Sequence, residues 1–485
     1  MKKIILFTIT ASMLIITSCV NDSEDFNKER KKPYSAPAVG FVNFAEVNLA
    51  TQMATPLRSS NVCRYFQHYY AATTYYEESR FNFTGGGMPE THWTELYRDV
   101  LGNLVSAIKA VNDESKPITI VQADWDILKK NKLAVIDLLQ VYTFHVLVDT
   151  YGNVPYFEAL DPDWPLPKYD DAATIYEDLL RRVDEDLAML DISQPEVFAE
   201  HLLGGNVAGW IRFANSLKLK LGINLVDVNP ALAQKAIEEA YNGGVVLDGS
   251  DNIIFRFVVE VHNNPVYSSL VGNGRNDYVV EETIVNKLYD LNDPRQDIYF
   301  KDKVGGVYVG GILGIGNDHP TCSHVGTVLI QKDTPSYLFD SAEINFYLAE
   351  AAARGFSVGD TAESYYTKAI TESFKQWGIP DAEITTYLTN PAVQYSSTNW
   401  KESIGEQVWI AMFNRPFESW TSYRRLDYPS YITNTPNAIA AAQSKVPVRV
   451  TYPVTEQTVN GASWRDARDA IGGDELTVRL FWDVN

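Results

Sequence analysis

At 485 residues with 45% hydrophobic content, the chain is long enough to bury a large core, and length alone allows two or three domains. A formal net charge of -21 argues against a nucleic-acid partner, because no basic surface can replace the counterions of phosphates, and it favours neutral or basic ligands. Three cysteines make no disulfide framework.

In chain order, Lys2 and Lys3 precede an apolar run from Ile4 to Ile16 that is too short to span a bilayer, so residues 1–18 read as a signal peptide. The run ends in Ile16, Thr17, Ser18 and Cys19, which resembles the lipobox of bacterial lipoproteins and makes Cys19 the expected lipidated N-terminus of the mature chain. Residues 19–38 are polar and read as a solvated tether. Asp22, Glu24 and Asp25 within it resemble the surface-export signal of Bacteroidetes lipoproteins. No later stretch reads as a transmembrane helix, so lipid is the expected anchor. Cys63 and Cys322 are expected as two separately buried thiols, with a long-range bridge as the alternative.

Most of the mature chain has helical periodicity. From Asn131 to Asp149 apolar residues occupy every face, predicting a central buried helix, whereas Thr174–Leu190 carries one apolar stripe. Asp184, Glu185 and Asp186 are assigned to the solvated side of that second helix. Ala231–Tyr241 and Ser341–Arg354 each stop at glycines, and a further helix begins near Thr361 and ends around Trp377 to Pro380. Within this hairpin Ala362, Tyr366, Ala369 and Phe346 follow the spacing of a tetratricopeptide helix pair, although Glu350 stands where that repeat prefers glycine and no strict 34-residue period is present.

Residues 244–335 are rich in Gly, Asn, Val and Tyr, with β-like runs at Ile253–Val261 and Gly306–Val309, and read as an irregular insertion that bears ligand-binding loops. The expected fold is all-α, a tetratricopeptide-like scaffold of helix pairs with irregular loop insertions and minor β structure, in one domain over residues 39–485.

No His-Glu-x-x-His, Gly-x-Ser-x-Gly, phosphate loop or paired zinc ligands occur, and Gly314 and Gly316 lack a nucleotide-binding context. No catalytic residue, metal ligand or cofactor is assigned. His145 reads as a satisfied core histidine. Asp161 and Asp163 beside Trp164 are the one carboxylate pair that would serve a glycoside hydrolase. Aromatic side chains on loops are the better lead, since a sugar ring lays its C–H groups on an aromatic face while neighbouring polar groups bond its hydroxyls. The candidates are Tyr75, Tyr76, Phe81, Trp164, Tyr267, Tyr278 and Tyr308, with Asn82, Asn264, Arg275, Asn276 and Asp277 as polar partners.

Short motifs spread over the mature chain carry a family resemblance. They are Trp93, Leu96 and Tyr97; Leu147 to Tyr156 with its Tyr-Gly-x-Val-Pro turn; Trp210, Phe213 and Asn215; Asp293, Pro294 and Arg295; and Glu343, Phe346 and Glu350. Toward the C-terminus come Glu418, Trp420, Arg424 and Arg425, then Arg449, Tyr452, Pro453 and Glu456, then Gly472, Gly473, Asp474 and Trp482. In this order they resemble the SusD-like (RagB) lipoproteins of Bacteroidetes, in particular the second sequence subfamily; Val408 before Trp409 departs from the lysine more usual there. The resemblance implies a non-catalytic, lipid-anchored outer-membrane protein facing the cell exterior. It would capture a carbohydrate or peptide and cap a SusC-like TonB-dependent transporter as a hinged lid. A surface hydrolase and an adhesin are the alternatives. In physical terms Tyr151, Gly152 and Pro155 turn the chain out of a buried helix, and Arg424 or Arg425 is expected to pair with Glu418 or Glu343.

Overall fold

Helices dominate because their apolar residues recur at helical spacing and find one another across short connections. The structure, a computed structural model, describes residues 36–55, 62–83 and 87–484. The expected leader and Cys19, with nearly all of the tether, lie outside the described residues. In chain order the principal helices are α1 (Ala38–Ala54), α2 (Gly102–Asp113), α3 (Gln122–Tyr151), α4 (Ala172–Met189), α5 (Val207–Asn224), α6 (Pro230–Gly243), α7 (Glu282–Leu291), α8 (Ser341–Ala353), α9 (Ala362–Gln376), α10 (Trp400–Ala411) and α11 (Pro416–Leu426). The strands are β1 (Tyr70–Ala72), β2 (Ile253–Phe255), β3 (Tyr278–Val280), β4 (Phe300–Lys301), β5 (His324–Val325) and β6 (Ser336–Phe339). They pair antiparallel as β1 with β3, β2 with β6 and β4 with β5.

Successive helices pack as pairs, α3 on α4, α5 on α6, α8 on α9 and α10 on α11, while α8 also touches α5 and α10 and so joins the pairs into one array. This is a tetratricopeptide-like helical fold. In the α8–α9 pair Phe346 and Tyr366 meet edge to face at 6.4 Å, and the small Ala369 is buried between the helices. Glu350, in the position where the repeat prefers glycine, is buried and accepts from Arg425 Nε at 3.0 Å and Arg354 Nε at 3.1 Å, which fastens this pair to α11.

α3 is longer than its apolar pattern, starting at Gln122 with Trp125 already buried. It is also apolar and long enough to cross a membrane, against the expectation that no segment after the leader would be, but 89% of its apolar window is buried inside the protein. It is therefore the central core helix. His145 sits on it, donates from Nδ1 to the Tyr142 carbonyl, and is pushed down to about 3 by burial.

The sequence motifs explain how the pairs are fixed. Gly152 ends α3 at a φ of +89°, which a side chain would strain. Tyr151 donates its hydroxyl to the Pro89 carbonyl at 2.8 Å, Tyr97 donates to the Pro155 carbonyl at 2.6 Å, and Arg449 Nη2 donates to the Tyr151 carbonyl at 2.9 Å.

Four expectations need correction. Arg425 pairs with Glu350, and Arg424 lies 3.6 Å from the Trp420 ring centroid and donates to the Asp149 carbonyl; the partners of Glu343 and Glu418 are Lys220 and Arg415. Asp186 is buried beside Asp137 and Arg182 on the α3-facing side of α4, not solvated, and burial first and Asp137 second raise its carboxyl to about 10. The β-like run at Ile253 stops at Phe255, where its partner strand β6 begins at Ser336, and Gly306–Val309, flanked by glycines, is a turn closed by a Val304–Val307 bridge. Val408 is buried, so its departure from lysine costs no surface contact. Cys63 and Cys322 are free and buried, the latter in a small cluster with Ala71 and Val279.

Candidate ligand-binding face

The β1–β3 ladder brings together two segments about two hundred residues apart, with Ala72 opposite Tyr278. Just past the strand ends the pairing continues irregularly. Thr73 N donates to the Asp277 carbonyl at 2.9 Å, Thr73 Oγ1 to the Asn276 carbonyl, and Thr74 Oγ1 to Asp277 Oδ1 at 2.8 Å. Arg275 Nε pairs with Asp277 Oδ2 at 2.7 Å, and its guanidinium carbon lies 5.1 Å from the centre of the Tyr75 ring. Tyr75 is 70% exposed and Tyr76 41%. Asn82, half-buried, donates to Glu77 at 2.8 Å, and Glu77 also accepts from Arg80 at 3.2 Å, which ties the far end of the turn to the near end.

A third segment backs this face. Asn317 donates through both its backbone and its side chain to the Ala72 carbonyl, at 3.0 and 2.8 Å, and its side chain also bonds the Ile312 carbonyl at 2.9 Å. The loop at Gly316 lies directly against the Tyr76 ring, where a Cβ would make ordinary contact at 3.4 Å. The result is two exposed rings beside a guanidinium, a carboxylate and amides. Such a surface has the chemistry to stack on the C–H face of a sugar and to bond its hydroxyls.

Of the twelve candidates, Tyr75, Tyr76, Asn82, Arg275, Asn276 and Asp277 converge here. Three others are not available to a ligand. Phe81 is buried against Phe66 at 5.5 Å, at a φ of +63°. Tyr278 alternates inward on β3 to pack on Tyr65 and Tyr70, at 6.1 and 6.0 Å. Asn264 is buried because its side chain caps the turn at Val266 N and donates to the Thr334 carbonyl at 2.7 Å. Among the described residues no hydrogen bond or ring contact ties the remaining three to the face. Tyr308 is half-buried, donating to Asp297 at 2.7 Å, and Tyr267 has Lys332 5.8 Å from its ring. Trp164 is exposed on another loop, where Asp161 accepts the Asp163 amide at 2.9 Å. That contact puts both residues in one exposed turn, with the Asp161 carboxylate engaged by the Asp163 amide. Among the described residues no group of His, Cys, Asp and Glu could hold a metal ion. Thr73, Thr74, Glu77 and Asn317 were missed, since small polar residues carry no signal until a distant strand is placed beside them.

A family model described as SusD-like, starch-binding associating with outer membrane, matches residues 30–453. Solved structures are similar over nearly the whole chain. A chitin-binding protein is 25% identical, with a TM-score of 0.79 over 92% of this chain and 100% of its own. A Bacteroidetes SusD-like protein is 24% identical, with 0.76 over 93% and 100%. A chitin-binding SusD homolog from Flavobacterium johnsoniae is 23% identical, with 0.76 over 91% and 99%. No curated protein matches the chain.

Proposed function

The chain belongs to the SusD-like family, and from that premise we propose that it is a cell-surface lipoprotein that captures a carbohydrate and delivers it to a SusC-like TonB-dependent transporter. The observation that carries the binding half is the exposed pair Tyr75 and Tyr76 flanked by the Arg275–Asp277 ion pair. A glycan is preferred to a peptide because the family description names starch and two structural relatives are named for chitin. In this reading the protein acts without catalysis: the hydrolase alternative rests on Asp161 and Asp163, and the Asp161 carboxylate is engaged by the Asp163 amide in an exposed turn. In this reading residues 39–485 are one domain, with the 244–335 insertion supplying half of the face, and lipid on Cys19 holds it at the outer membrane facing outward.

The test is calorimetric titration with defined oligosaccharides and peptides alongside thermal melting. Tyr75→Ala or Arg275→Ala costs about 2 kcal/mol of glycan affinity if the residue is a binding anchor. Tm stays unchanged, because both side chains are exposed. Undiminished affinity in both variants, or cleavage of the glycan by the parent, rejects the reading. The transporter half is tested by purification in mild detergent, where a large β-barrel protein accompanies the chain; recovery of the chain alone opposes it.

A further inference from the structure

A small polar pocket of about 110 Å3 adjoins the aromatic face and is built from some of the same segments. Ser79 lines it and donates its hydroxyl to the Tyr76 carbonyl at 2.8 Å, and Ile312 and Leu313 line it from the loop whose Gly316 backs the Tyr76 ring. It is smaller than the roughly 300–1,000 Å3 of sites that enclose whole ligands. It has room for a substituent and not for a sugar ring.

Its polar groups are unusual in lacking partners. His68 and Thr435 both line it and are 5% and 2% exposed, yet His68 Nε2 and Thr435 Oγ1 have no hydrogen-bond partner among the described residues. His68 Nδ1 lies 3.5 Å from the Glu281 carboxylate and 3.4 Å from Thr283 Oγ1, so the ring nitrogen left without a partner at the pocket is Nε2. Glu281 itself is used, capping α7 through Thr283 N and Thr283 Oγ1. Glu282 lines the pocket from its exposed rim, where no hydrogen bond or ion pair engages its carboxylate among the described residues and its charged neighbours are Glu281 and His68. Partial burial and the neighbouring Glu281 raise its carboxyl above the usual range. Lys287, stacked on the pocket residue Tyr431 at 4.6 Å, is already matched by Glu406 at 3.0 Å.

The pocket thus offers the unpartnered Nε2 of His68, the hydroxyl of Thr435 and the carboxylates of Glu281 and Glu282, and among the described residues no Lys or Arg lines it. Two carboxylates repel an anionic substituent, and a hydroxyl brings a single donor. A primary ammonium brings three N–H donors and the opposite charge. We propose that this pocket is a subsite for the ammonium group of an amino sugar, held between Glu282, His68 and Thr435 while the sugar ring rests on the aromatic face. The proposal rests on the carbohydrate reading of that face.

The test uses three β-1,4-linked glucan hexamers that differ only at C2, bearing an amine, an acetamide or a hydroxyl. Each is titrated into the parent, Glu282→Gln, Tyr75→Ala and the control Glu185→Gln, at low salt and at about three Debye-shortening increments of added salt. Glu185 is an exposed residue of α4, so its variant removes the same charge elsewhere. The amine hexamer binds the parent about tenfold more tightly than the hydroxyl hexamer. In Glu282→Gln that preference falls to about twofold while hydroxyl-hexamer affinity is kept, and in Glu185→Gln it persists, because a surface charge pair is worth little. Tyr75→Ala weakens all three hexamers together. Equal amine and hydroxyl affinities in the parent mean that the pocket holds water only and overturn the subsite. A preference lost equally in Glu185→Gln, or an acetamide preference untouched in Glu282→Gln, overturns it too. If Tyr75→Ala binds all three as the parent does, or if none binds the parent, the reading of the face itself fails.

Discussion

Glu418→Gln gives a sharp test of how the core tolerates its buried charges. Among the described residues the cations facing Asp340, Glu343 and Glu418 are Lys220 and Arg415, all of them buried, at contacts that include Lys220 to Glu343 at 3.0 Å and Arg415 to Glu343 at 2.7 Å. Three acids against two bases leave one negative charge in excess. Glu343 takes the larger share of the cations: burial opposes its ionisation, yet Arg415 and Lys220 hold it down to about 2. Burial first, with Glu343 adding to it against the pull of Lys220, pushes Glu418 up from 4.5 to about 7. Between those values the folded protein holds a proton that the unfolded chain releases. The stability from Glu418 is therefore complete below pH 4.5 and is lost as pH rises through 7. At about 1.4 kcal/mol per pH unit the full loss is about 3 kcal/mol. For a chain of this length that moves Tm by about 1 °C per kcal/mol, from an unfolding entropy of about 2.1 cal/mol/K per residue. Glutamine mimics the protonated acid, so the variant matches the parent near pH 5 and gains about 3 °C on it by pH 8. Asp483, raised to about 6 chiefly by burial, tilts both proteins the same way. The measured quantity is thus the difference between two melting series at constant ionic strength. Parallel curves, or a gap that closes with rising pH, refute the assignment of the proton to Glu418.

Phe81→Ala is expected to cost about 3–5 kcal/mol in urea denaturation, whereas Tyr75→Ala stays within about 0.5 kcal/mol; similar losses in both would mean that the turn is not organised as described. Cys19→Ala releases the chain from membranes in a strain lacking the transporter, scored by fractionation; full retention there excludes lipid as the anchor.

The helical scaffold was legible because its evidence is local. Ala362, Tyr366 and Ala369 announce a paired helix by spacing alone, and Phe346 and Tyr366 do meet. The all-apolar stretch before Tyr151 announces a buried helix, although the same composition cannot tell a core helix from a membrane span until its neighbours are placed. Asp186 shows the same limit, since its helical position says nothing of the α3 residues Asp137 and Gln140 that α4 packs against. The site was legible only in its residue types. Tyr75 and Tyr278 are both aromatics near polar loop residues; one is displayed and the other buried because Tyr278 lies on β3, opposite Ala72, and that pairing depends on a partner two hundred residues away.

The burial of Phe81 clarifies why Tyr75 and Tyr76 can be exposed. Two aromatic rings in water would ordinarily turn inward, and the segment that carries them includes two non-glycine residues in the left-handed region, Tyr75 and Phe81. Such conformations cost about 1 kcal/mol or more each and persist only where the surroundings hold them. Here Phe81 is seated between the turn and Phe66, whose ring in turn lies 5.0 Å from Trp420 on α11. Backbone bonds from Arg80 and Asn82 to the Glu77 carbonyl close the turn above it, and Arg80 accepts Ile439 N at 2.9 Å. With one aromatic fixed in the core and the Asp277 and Asn317 contacts fixing the other end, the two tyrosines have no inward path. A face held in this way meets its ligand without reordering, which lowers the entropic cost of binding. It also predicts that loosening the turn at Phe81 weakens glycan binding even though Phe81 touches no ligand. The check is to titrate Phe81→Leu, which keeps an apolar side chain there, at a temperature where melts show it folded: affinity lower than the parent by several-fold supports the displayed-face argument, and parental affinity rejects it.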